Sequence, residues 1–209
     1  MKSIKTIILI LIGSLGVSSA FAQSSSSRPP FSFNLNYSIA QPFGSLSDYA
    51  SKTSFRGWQA GFQYALNDKL SLGAKVGFAD FYERFPRAVY PGKGEDVSAV
   101  QTHTLQTIPI LATVQYNFAG PEARVIPYGG LGIGTANMNY EKFWGEFVER
   151  ENKWAFQVSP ELGINVPFGK YSPVMLNANV QYNYAPFKVQ EISNFNSIQA
   201  NIGLKFHIQ

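Results

Sequence analysis

The chain carries few side chains able to do covalent or metal chemistry. It has two histidines and no cysteine among its 209 residues. Acyl transfer of the Ser–His type needs an imidazole beside a hydroxyl. His103, in Gln101-Thr102-His103-Thr104, has hydroxyl neighbours near a long polar connection, and a lone histidine so placed reads first as a solvated side chain. His207 lies at the far end of the chain with no H-x-S arrangement after it. Two scattered histidines are too few for a zinc centre. The absence of cysteine excludes a thiolate nucleophile, a disulfide framework and a lipid-bearing thiol. Asp48, Glu95, Asp96, Glu146, Glu149 and Glu151 fall in polar connecting segments and read as solvated charge. No catalytic, cofactor-binding or metal-ligating residue is nominated, and the expectation is a protein that is not an enzyme. What remains is physical rather than reactive: three charges, Lys75, Glu161 and Lys205, interrupt rows that are otherwise small and neutral.

Composition explains why such charges matter. Only 14% of residues are charged, whereas 45% are hydrophobic and 15% aromatic. A water-facing surface ordinarily takes about 25% charged residues, so this chain is short of groups to coat one. Lys2 and Lys5 precede an apolar run from Ile7 to Leu15, and Ala20-Phe21-Ala22 supplies an A-x-A site. That pattern predicts a secretory signal peptide over 1–22, followed by a flexible Ser/Pro lead-in over 23–30. Losing the two lysines lowers the formal charge from +4 to +2. No Lys/Arg cluster remains to suggest nucleic acid as a partner.

From Phe31 onward the pattern has period two. Phe31, Phe33, Leu35, Tyr37 and Ile39 alternate with Ser32, Asn34, Asn36 and Ser38. The pattern returns at Trp58–Leu66 and Leu70–Phe78, joined by the tight turn Asn67-Asp68, and then at Ile108–Phe118. It continues through Tyr128–Tyr140, Trp154–Val166, Val174–Tyr184 and Ile198–Ile208. About eight strands of roughly 9 to 13 residues are predicted, long enough to cross a bilayer when tilted. In Tyr128–Tyr140 the inward row is stripped to glycine, which implies curvature or a close neighbour. Long connections (Gln41–Arg56, Phe85–Thr102, Glu141–Asn152, Ala185–Asn196) alternate with short ones, as in an up-and-down sheet with a loop set at each end.

The non-apolar rows are Asn, Gln, Ser, Thr and Gly rather than Lys and Glu, which suits a narrow enclosed interior. A closed sheet is the β solution in which every backbone group facing hydrocarbon is paired. The predicted fold is therefore all-β: a closed eight-stranded antiparallel up-and-down transmembrane β-barrel over 31–209. Two aromatic girdles are expected, with Tyr64, Tyr116, Phe118, Tyr128, Phe168 and Phe206 near the short turns. Trp58, Trp154, Phe156, Tyr182 and Tyr184 lie near the long connections. Lys75 and Glu161 sit at a similar distance from their short turns, so they either pair inside the barrel or reach water separately, with Lys205 a third member of the lumenal set.

The mature chain resembles the small outer-membrane β-barrel family, the OmpA/OmpX-like group often labelled porin family. The residues that carry the likeness are Asn201, Gly203, Phe206 and Ile208, similar to the terminal-strand signal read by the barrel-assembly machinery. They are joined by Ile108-Pro109-Ile110-Leu111 and Pro127-Tyr128-Gly129-Gly130-Leu131-Gly132-Ile133-Gly134. The tail His207-Ile208-Gln209 departs from relatives that stop at an aromatic. The resemblance implies residence in the bacterial outer membrane, both termini periplasmic, among lipid and lipopolysaccharide, but no particular activity. With the last strand ending the sequence, no separate peptidoglycan-binding domain is expected. The favoured function is a structural or interaction role, with an envelope or secretion protein as partner and Phe143, Trp144 and Phe147 as outer-loop contacts. The alternatives are a narrow solute channel and a lipid-modifying enzyme.

Overall fold

The computed structural model describes residues 30–91, 96–144, 147–169, 172–189 and 192–208. The predicted export signal and nearly all of the lead-in lie outside them. Eight strands close into one barrel in sequence order, each antiparallel to its neighbours, with β8 pairing back onto β1. They are β1 (Phe31–Pro42), β2 (Ser54–Ala65), β3 (Leu70–Pro91), β4 (Asp96–Asn117), β5 (Ile126–Trp144), β6 (Phe147–Pro167), β7 (Val174–Ala185) and β8 (Phe195–Ile208). One short helix, α1 (Ser45–Tyr49), lies between β1 and β2.

Alternation places the apolar rows outside. On β4, Ile108, Ile110 and Tyr116 are exposed while Leu111, Thr113 and Gln115 are buried between the strands' inner faces. The outer row from Ile108 to Tyr116, with Phe118 beyond it, spans about 25 Å at a barrel tilt, the height of a hydrocarbon band. Beyond Ile108 the same row becomes Gln106, Thr104 and Thr102.

At that point the structure departs from the sequence reading. Phe85–Thr102 and Glu141–Asn152 are expected as loops, yet β3 and β4 stay paired to Pro91↔Asp96, and β5 and β6 to Trp144↔Phe147. The four strands β3–β6 thus rise past the level where β2 and β7 stop, whose last pairs are Gly57↔Ala79 and Val158↔Tyr184. At about 3.3 Å per residue and a barrel-like tilt, this wall extends on the order of 30 Å further. The apolar period fades where lipid contact ends, but backbone pairing does not need lipid.

The girdle expectation needs one change. Tyr64, Tyr116, Phe118 and Phe168 are exposed around the short-turn end, and Trp58, Trp154, Phe156, Tyr182 and Tyr184 around the other. Tyr128 is instead buried inside the barrel, where its hydroxyl accepts from Asn177 Nδ2 at 3.0 Å. It falls on the inner row of β5, two positions before Gly130.

Candidate functional site

The interior has two levels of opposite chemistry. Toward the short turns it is an amide network. Lys75 Nζ donates to Glu161 Oε2 at 2.6 Å and to Gln181 Oε1 at 2.8 Å, and both charged side chains are almost wholly buried. Gln59 Nε2 reaches the same Gln181 oxygen at 3.0 Å. From Asn183 the bonds run to Gln199, then from Gln199 to Asn201, Asn201 to Asn179 and Asn179 to Asn177. Small neutral donors and acceptors on facing strands bond one another across a narrow lumen.

The inner glycines of β5 make room for the ion pair. A Cβ on Gly130 would lie 2.8 Å from Glu161 Oε1, and one on Gly132 would lie 3.2 Å from Lys75 Cε. The pair thus rests against bare backbone. Lys205 goes elsewhere: its Nζ donates to Gln63 Oε1 at 2.6 Å. All three charges nevertheless line one mid-lumen cavity of only about 10 Å³, roughly the space of a single water. A second cavity, about 50 Å³, opens at the short-turn mouth beside Asp68, Asn117 and His207.

Toward the long-hairpin end the interior is apolar. Ala40, Ala79, Ala136, Ala155 and Ala185 form a collar of small inward side chains on five strands. The bulk that fills it comes partly from inward strand residues, Phe81, Leu105, Met138, Tyr140 and Phe195, and partly from the connections: Leu46 and Tyr49 from α1, and Phe187, Val189 and Ile192 from the segment between β7 and β8. Gly44, at φ 58, permits the turn that carries β1 into α1. The first connection is held at several points. Tyr49 Oη donates to the Glu141 carbonyl at 2.7 Å, and His103 Nδ1 donates to the Tyr49 carbonyl at 2.7 Å. The rings of Tyr49 and His103 stack at 4.4 Å, and Ser51 N donates to Glu83 Oε2 at 2.6 Å. Ser45 Oγ donates to the Asn194 carbonyl at 3.0 Å, tying the two connections together. Val189 and Ile192 close the second by reciprocal backbone bonds. The plug therefore belongs to the folded interior.

His103 is a strand residue, not a solvated loop one. It points inward from β4 and is buried, and its other ring nitrogen lies 3.2 Å from Gln101 Oε1. Phe143 and Trp144 end β5 and Phe147 begins β6, so all three sit on the wall's tip rather than in a loose loop. Lys142 Nζ lies 4.9 Å over the Trp144 ring, and Phe147 is 71% exposed. Glu149 and Glu151 flank that tip, while Glu95 and Glu146 lie outside the described residues. In β8, Asn201 and Gly203 face inward, and Phe206 and Ile208 face out. No group of three or more His, Asp or Glu suited to a metal occurs among the described residues.

The closed sheet with its apolar exterior accords with a sequence match to the family described as Outer membrane protein beta-barrel domain, which covers residues 7–206. The chain belongs to that family. Its barrel is similar to neisserial surface protein A, at TM-score 0.60 and 18% identity, over 88% of this chain and 100% of that one. It is also similar to OprG from Pseudomonas aeruginosa, at TM-score 0.49 and 15% identity, over 90% of this chain and 100% of that one. At these identities the likeness is one of fold. No curated protein matches the sequence. The barrel is thus an outer-membrane one, with an amide-filled lumen, an apolar plug and a projecting wall.

The plug is what sequence reasoning missed. Its signal was present in the five alanines, which interrupt the inner rows at one end, and in Leu46, Tyr49, Phe187 and Ile192, apolar residues inside connections that otherwise read as polar. Period-two counting discards both.

Proposed function

We propose that this barrel has a structural or interaction role, with its wall projecting from the cell and both termini in the periplasm. The observation that carries the reading is the plugged mouth beside a tall paired wall: the lumen is filled by the chain's own side chains, while Phe147, with Phe143 and Trp144 behind it, stands clear at the tip. An exposed aromatic backed by two others on a rigid support suits contact with an envelope, secretion or surface partner. The absence of enzymatic activity is part of the same reading. His103 Nδ1 donates to the Tyr49 carbonyl and so helps to hold the plug, while its other ring nitrogen lies against Gln101 of the same strand, which leaves the imidazole engaged in structure.

The narrow-channel alternative draws its support from the polar lumen, and conductance decides between them. The purified barrel in planar bilayers should show no steady conductance, whereas stepwise openings would favour a channel. Protease added to intact cells should cut at the β5–β6 tip; cleavage only after the outer membrane is opened would reverse the orientation. The β8 pattern Asn201, Gly203, Phe206 and Ile208 is proposed as the signal for the barrel-assembly machinery. Phe206→Ala should lower the folded, heat-modifiable fraction in outer membranes, and unchanged yield would count against it.

A further inference from the structure

At the foot of the wall the outer face changes from lipid-facing to cationic. On β2 the outward residue after Trp58 is Arg56, and on β3 the outward residues after Phe78 are Asp80, Tyr82 and Arg84. Arg56 Nη1 lies 3.3 Å from Asp80 Oδ2, and the arginine side chain is 63% exposed against 11% for the aspartate. The carboxylate is therefore on the barrel side, and the guanidinium's outer edge faces away from it. The Arg56 Cζ lies 5.1 Å over the ring of Tyr82, the next outward residue of β3, which helps to hold the fork in place. Arg84, exposed on the same row, stands one outward position beyond Tyr82, so the two arginines flank that tyrosine on one outer face, their backbone levels about 13 Å apart along the strand. Glu83, between Tyr82 and Arg84 in sequence, points inward and is bound to Ser51, so it does not offset this face.

We infer that Arg56, Tyr82 and Arg84 form a docking site for the phosphate groups of lipopolysaccharide in the leaflet around the wall. The argument is charge complementarity at a fixed height. The site begins one outward position above the last lipid-facing residues of β2 and β3, where a headgroup phosphate must lie, and guanidiniums bind phosphate through paired N–H donors. A cation close to an anionic lipid surface gains from every lipid charge within a Debye length. The inference rests on the outward orientation of the wall proposed above. Its test does not, because both leaflets of a nanodisc have one composition.

The experiment compares wild-type barrel with Arg56→Gln/Arg84→Gln and with Arg84→Gln alone, the latter sparing the Asp80 ion pair. Each is reconstituted in phosphatidylcholine nanodiscs with or without diphosphorylated lipid A, and lipid retained on release is measured by native mass spectrometry. Heat-modifiable migration checks folding. Wild type should retain lipid A over phosphatidylcholine, the double variant should lose that preference by about tenfold or more, and the single variant should fall between. Inorganic phosphate at millimolar concentration should not displace the lipid. Equal lipid A retention in all three proteins, or displacement by free phosphate, overturns the assignment.

Discussion

The Lys75–Glu161 pair shows how much one residue can depend on its neighbours. Two buried charges bonded to each other and to Gln181 are balanced only while both remain. Removing one should cost about 3 to 5 kcal/mol, because the other is left buried and unpaired. Removing both should cost far less. In urea unfolding from lipid vesicles, Lys75→Met and Glu161→Met should each be strongly destabilising and Lys75→Met/Glu161→Met nearly neutral. Additive losses would show that the charges act separately. Gly130→Ala probes the same seat from the backbone side, since the added methyl lands on the carboxylate. A loss of about 1 to 3 kcal/mol is expected, and it should shrink when Glu161 is already Met. The three charges were legible in the sequence because they break neutral rows. Which two would meet was not, because it depends on register and on the room left by the β5 glycines, beside Glu161 and two strands from Lys75.

At the scale of elements, the first connection is the clearest departure from what alternation reveals. The strands were legible wherever they touch lipid, since contact with hydrocarbon imposes period two on the outer row. From the edge of that level upward β5 places Asn137, Asn139 and Glu141 outside, and β6 places Asn152 and Arg150 opposite the last two. Asn137 and Asn152 exchange side-chain bonds at 2.9 and 3.0 Å, and Arg150 lies 3.3 Å from Glu141. These pairs hold a sheet in water, yet along one strand they read like loop. The connection 43–53 is apolar where it enters the collar and polar elsewhere, a pattern that looks like noise until the barrel is closed. Leu46→Ala/Tyr49→Ala should raise amide hydrogen exchange across 43–53 while leaving exchange in the lipid-spanning parts of β4 and β5 unchanged. Loss of protection throughout the barrel would mean that the plug holds the sheet rather than resting in it.

For the molecule as a whole, closure, strand number and the sidedness of the rows, Tyr128 on β5 excepted, followed from composition and period, because a chain this poor in charge has few other ways to cover its backbone. Function did not follow, because the same shell admits a filled or an open lumen. The difference lies in about a dozen inward side chains whose partners come from distant strands. If the amide network and the plug together seal the barrel, the Leu46→Ala/Tyr49→Ala variant should remain non-conducting in planar bilayers, since the narrow level near Lys75 persists below. Steady current in that variant would place the seal in the plug alone.

The alanine collar also fixes an order of events. Ala40 lies on β1 and Ala185 on β7, with β8 bridging them, so the recess is incomplete until the first and last strands have met. Leu46, Tyr49, Phe187 and Ile192 are fully enclosed only then. Newly made chains should therefore pass through a closed-but-unstoppered stage, and in pulse-labelling the amide protection of 43–53 should lag behind the gel shift that marks ring completion.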